Sequence, residues 1–265
     1  MKAYTALFRI RFINSLQYRV AALAGLSTQF AWGFMEILAF LAFYRSQPDT
    51  FPVEFPQLVS YIWLQQAFLS MLAPWSGSRE AIESIVNGNI AYELARPMNI
   101  YDRWFCEAAA VRISRAVLRC VPILVVAFIL PAPFRMILPP SFTQFLLFLI
   151  SLVLGLCTVI AFCMLDNIST FYTMSQYNNL FLIAADFFAG GILPIPFFPG
   201  TFRRIVELSP FAAMENAPLR IYSGNLSGSD AVREILLQLF WFAILLLTGK
   251  LLMRRSLRRV IAQGG

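Results

Sequence analysis

A succession of apolar stretches, each long enough to cross a lipid bilayer, limits how this chain can fold more than any other feature. A helix rises about 1.5 Å per residue, so roughly 20 apolar residues cover the hydrocarbon core. Six stretches meet or approach that length: residues 20–44, 58–75, 113–130, 142–165, 171–193 and 235–253. Within a bilayer there is no water to satisfy backbone amides, so such stretches fold as helices. The expectation is an all-α integral membrane protein, a single six-span domain over residues 1–265. Composition agrees, with 13% charged residues against about 25% in a soluble domain.

Charge sets the orientation. The net charge is +7, but the basic residues flank apolar stretches and build no basic face, so nucleic acid is not an expected partner. Six spans put both termini on one side, and placing them in the cytosol puts 15 of the 21 lysines and arginines inside, as the positive-inside rule requires. Residues 1–19 carry Lys2, Arg9, Arg11 and Arg19 among Leu7, Phe8, Phe12 and Leu16. They read as an amphipathic interfacial helix on the inner membrane surface. A signal peptide fits less well, because the next apolar stretch is too long and no small-residue cleavage site follows. Arg112, Arg115 and Arg119 share one helical face and belong at the inner leaflet, with Arg119 snorkelling.

Several chemistries are excluded. There is no histidine, which removes His-based acid–base catalysis and the commonest metal ligand. Cys106, Cys120, Cys157 and Cys163 show no CxxC spacing and read as small buried hydrophobes. No P-loop is present; Thr248-Gly249-Lys250-Leu251 lacks the upstream glycine and the final hydroxyl. The chain is therefore not expected to be an enzyme, to bind ATP by a P-loop, or to hold a metal or cofactor of its own. An intramembrane lipid-modifying enzyme fails on the same grounds.

Residues 76–107 form a mixed-charge island between the second and third spans. From Arg79 to Val86 the spacing gathers Ile82, Ile85 and Val86 on one face, which reads as a short amphipathic helix. Asn87-Gly88-Asn89 favours a turn. A second short helix starts at Ile90, carries Tyr92, Glu93 and Leu94, and stops near Arg96-Pro97, where the residue before proline resists α geometry. A short helix with apolar residues below the bilayer suits docking in a partner's groove.

Glu36 and Asp186 lie within spans, where an ionised group costs about 2.5–3.5 kcal/mol on insertion scales. They are candidates for a translocation path or gate; alternatively, each sits near an interface, bonded to a neighbouring helix or paired with an arginine such as Arg203. Gly190, Gly191, Pro194, Pro196 and Pro199 interrupt any helix after the fifth span, although the residues between them are apolar. Broken backbone at membrane depth must be covered by protein or line a cavity. A re-entrant hairpin acting as a lid within an extracellular gate region, residues 194–230, meets both conditions; a plain loop dipping into the headgroups is the other reading.

Taken together, the six-span layout, the segment Ile85-Val-Asn-Gly-Asn-Ile-Ala-Tyr-Glu-Leu-Ala-Arg-Pro97, and the segment Gly190-Gly-Ile-Leu-Pro-Ile-Pro-Phe-Phe-Pro199 continued by Leu208-Ser-Pro-Phe211 resemble the permease subunits of ABC exporters of the ABC-2 type. The likeness is strongest to a bacterial branch of ABC transport system permease components and covers essentially the whole chain. It implies a permease subunit in the bacterial plasma (inner) membrane, paired with a second permease subunit, either a paralogue or another copy. It also implies two copies of a separate ABC ATPase subunit carrying ATP and Mg. The coupling helix between spans 2 and 3 would meet that ATPase through Ile82, Ile85, Val86, Gly88, Ile90, Tyr92, Glu93 and Leu94, with Arg96 and Pro97 turning the chain back to the membrane. The aromatic-rich spans favour a hydrophobic or amphipathic cargo, such as a drug, lipid or peptide, although the same rings also suit contact with membrane lipids. The alternative is a proton-coupled secondary transporter using Glu36 and Asp186, against which stands the lack of an internal inverted repeat.

Overall fold

The computed structural model describes residues 2–17, 19–76, 80–173 and 179–258. Arg79, the 174–178 part of the fifth expected span and Arg259 at the C-terminal end lie outside the described residues. Those described form eleven α-helices and no strand: α1 Lys2–Leu16, α2 Arg19–Ser46, α3 Phe55–Leu72, α4 Glu80–Val86, α5 Ile90–Leu94, α6 Ile100–Ile129, α7 Phe142–Thr173, α8 Asn179–Ala189, α9 Gly200–Glu207, α10 Asn216–Tyr222 and α11 Gly228–Leu257. Three of them hold segments long and apolar enough to cross a membrane: Gly25–Ser46, Phe142–Thr173 and Gly228–Leu257. The chain is an all-α membrane protein.

The centre of the bundle is α3, buried without interruption from Leu58 to Ala67 and packed by α2, α6, α7 and α10. Its polar residues are tied into the core. Gln29 of α2 donates to the Gln66 carbonyl at 2.9 Å, and Ser60 accepts from the Ile137 amide at 3.0 Å. On the other flank α7 pairs with α11. There Gln238 accepts from the Ser151 hydroxyl at 2.7 Å and donates to the Ala213 carbonyl at 2.9 Å. Such bonds join helices where apolar burial alone provides little drive, because lipid is as apolar as the side chains.

Local chemistry explains where helices differ from the hydropathy pattern. The third apolar stretch begins at residue 113, yet α6 starts at Ile100, because the Asn99 side chain caps it by accepting from the Tyr101 and Asp102 amides at 3.1 and 3.3 Å. The last part of the mixed-charge island is therefore continuous with a 30-residue helix. Likewise α7 runs past residue 165 to Thr173, with Asp166, Asn167 and Thr170 buried along it. Asp and Asn are weak helix formers and not breakers, so tertiary burial carries the helix through them. In contrast α8, described from Asn179, ends at Ala189, since the chain turns at Gly190 with φ +90°, a conformation that glycine adopts without steric cost.

Candidate functional site

At one end of the bundle the mixed-charge island forms the two short helices that its spacing indicates. Gly88, φ +74°, divides α4 from α5 with open space around it. The candidate docking residues separate into two groups. Ile85 and Ile90 are buried in the chain's own core and Ile82 and Val86 are half-buried. Tyr92 and Leu94 stand out at 76% and 43% exposure, alongside exposed Gly88, Arg96 and Pro97.

Ion pairs attach both short helices to α6. Glu93 of α5 pairs with Arg103, which is 2% exposed, and lies 3.8 Å from Arg96. Arg11 of α1 bridges Glu80 of α4 at 3.1 Å and Glu107 of α6 at 3.3 Å. A cavity of about 150 Å³ opens here, lined by Arg11, Glu80, Glu93 and Glu107 with Trp75, Trp104 and Asp166.

Farther along α6, Arg112 reaches across to the end of α3. The last carbonyls of a helix have no partner within it, and Arg112 donates to Met71 and Ala73 at 2.9 Å, to Pro74 at 3.3 Å, and to the Ser76 hydroxyl at 3.0 Å. A cation at a helix C-terminus is also favoured by the helix dipole. Arg115 donates to the Ser76 carbonyl at 3.1 Å, and the Arg119 guanidinium lies against Gly25 of α2. Arg112 and Arg115 thus hold neighbouring backbone.

The turn gripped by Arg112 carries Trp75, whose indole donates to Asp186 of α8 at 3.1 Å. Asp186 is bonded to a neighbouring element, then, while Arg203 pairs with Glu207 at 2.9 Å. One turn beyond Asp186, the Gly190–Gly191 corner is held by α3: Tyr61 donates to the Gly190 carbonyl at 3.2 Å and Gln65 donates to that of Gly191. A Cβ at Gly191 would fall 2.7 Å from the Asp186 carboxylate, so a larger residue there would have to displace that carboxylate.

Glu36 and Asp186 belong to one electrostatic group, together with a third carboxylate that the sequence reading missed. Glu215 is fully buried, both its oxygens lack a hydrogen-bond partner, and the charges of Asp186 and Glu36 act on it. A signal was available: Glu215 follows Phe211-Ala-Ala-Met214, an apolar passage unlike solvent-exposed loop.

Beyond the corner, Pro194 and Pro196 are buried and Pro199 is exposed just before α9. Ile195, Phe198, Val206 and Ala212 form a small second core. Glu207 of α9 accepts from Arg203 and, at 2.7 Å, from Arg220 of α10. Burial pushes the Glu207 carboxyl up, but hydrogen bonds and charge from the two arginines outweigh it and hold it below its ordinary value of 4.5.

Compared with known proteins, the chain matches no curated sequence significantly, whereas the family model described as ABC-2 family transporter protein matches residues 30–264. That span takes in α3 to α11 and most of α2. The chain belongs to the ABC-2 transporter family and is an ABC-2-type permease.

Proposed function

We propose that this permease is the membrane subunit of an ATP-driven exporter, powered by two copies of a separate ABC ATPase and paired with a second permease subunit. In this reading the chain crosses the bacterial plasma membrane six times with both termini in the cytosol, and its cargo is hydrophobic or amphipathic. The observation that carries the reading is the attachment of α4 and α5 to α6 through Glu93–Arg103 and Glu80–Arg11–Glu107. Exposed Tyr92 and Leu94 provide the docking face, and buried Ile85 and Ile90 anchor it to the bundle.

The same contacts suggest how docking is felt deeper in the bundle. The part of α6 from Ile100 to Arg112 lies ahead of the internal Pro122, is about 18 Å long and moves largely as a unit. Displacing its α5 end carries Arg112 with it, and Arg112 holds the turn that bears Trp75. Trp75 contacts Asp186, just before the Gly190–Gly191 corner. Movement at the docking face is thereby passed to the start of the gate region.

The test is export from inside-out vesicles containing the chain and its co-expressed ATPase. Uptake driven by ATP and indifferent to collapse of the proton gradient supports the reading. Uptake that needs the proton gradient and continues without ATP contradicts it.

A further inference from the structure

The surroundings of the Gly190–Gly191 corner contain more hydrogen-bond acceptors than donors. Five buried oxygens there have no partner: Oε1 of Gln65, Oδ1 of Asp186, both carboxylate oxygens of Glu215 and Oδ1 of Asn216; Oε1 of Glu36, whose charge acts on Glu215, is a sixth. Gln65 and Asn216 are each 1% exposed. Both border the corner, Gln65 through its bond to the Gly191 carbonyl and Asn216 through its Cβ, 3.5 Å from where a Gly190 Cβ would stand. The donors recorded here already have acceptors: Tyr61 on Gly190, Gln65 on Gly191 and Trp75 on Asp186. An unmet buried acceptor costs about 1–3 kcal/mol, and more if charged.

The charged groups acting on Tyr61, at the middle of this region, are Glu215, Glu36 and Asp186 with Arg220. Arg220 already donates to Glu207 and Asn225 at 2.7 Å. Three carboxylates, from α2, α8 and the lead into α10, thus act on the same buried tyrosine, and the one cation acting there among the described residues is already paired. No group of three or more His, Cys, Asp or Glu among those residues has the spacing to hold a metal ion.

We propose that Glu36, Asp186 and Glu215 form a proton-binding site that latches α8 to the base of α10. A protonated carboxyl becomes a donor while keeping acceptor capacity, so each bound proton removes one charge and satisfies one orphaned oxygen. Opening the corner to water releases the protons, and repulsion among the resulting carboxylates holds it open. Reclosure takes them up again. The proposal rests on the membrane placement of the bundle and is independent of what powers it.

The test is proton release on denaturing the purified full chain in weakly buffered detergent at pH 7, where unfolded carboxyls ionise. Glu215→Gln, which mimics the protonated form, is expected to release about one proton fewer per chain than wild type and to melt no lower. Glu36→Gln gives a second, separate reading of the same kind. Wild type alone provides a third: a protonated-carboxyl C=O band in the infrared at pH 7, lost on unfolding. Equal proton release from wild type and both variants, with no such band, overturns the proposal. Stabilisation by sodium chloride but not choline chloride, with proton release unchanged by either substitution, overturns it in favour of a metal cation.

Discussion

The Trp75 indole N–H lies 3.1 Å from the Asp186 carboxylate, joining residues 111 positions apart and tying the turn after α3 to α8. Trp75 is held from behind, since the carbonyls on either side of it in the chain accept from Arg112 and Arg115. Trp75→Phe keeps an aromatic ring and removes the donor, leaving Asp186 without a side-chain partner. We predict a loss of about 1–3 kcal/mol, read as a lower melting temperature, with ATPase association retained and export reduced.

Arg112→Met strips the end of α3 of its cap while filling similar space. Thermal denaturation should show a loss of about 1–3 kcal/mol. Arg112→Lys should fall between Met and wild type, because an ammonium is a compact charge and cannot span the same carbonyls as a planar guanidinium.

Gly155 faces the Met214 carbonyl so closely that an added Cβ would collide with backbone. Gly155→Ala should therefore destabilise by about 1–3 kcal/mol through overpacking and displace the segment that carries Glu215. Gly88→Ala has open space around it but a positive φ. Its cost of about 1–2 kcal/mol is conformational, so it should lower the melting temperature by a few degrees and weaken ATPase coupling.

Much of this was legible in the chain, and the parts that were not have identifiable causes. The Asn-Gly pair marked the break between α4 and α5, and the prolines marked the interrupted backbone after α8, because both effects are local. The Arg112 cap was not legible, since its acceptors lie 36 or more residues away and three arginines at helical spacing also fit simple topology signals. Glu215 was overlooked because charges between proline-rich passages are commonly solvated. Its burial comes with the packing of α10, which it precedes, against α3 and α7.

The Glu207 cluster gives a pH dependence whose sign follows from its partners. The folded carboxyl titrates below its ordinary value of 4.5, so folding favours the ionised form. That contribution is complete above pH 4.5 and disappears as the pH falls through the depressed folded value. Acid melting curves of wild type should therefore fall more steeply in this window than those of Glu207→Gln.

If α5 presents the docking face for an ATPase, that partner should be captured with the permease. The tagged full chain is purified from its native membrane, and bound ATPase is measured by nucleotide hydrolysis per mole of permease. Tyr92→Asp combined with Leu94→Asp alters only residues that are exposed here. Wild type should carry the ATPase, and the double variant, with an unchanged melting temperature, should lose it at least tenfold. Equal ATPase on both proteins would contradict a docking face on α5.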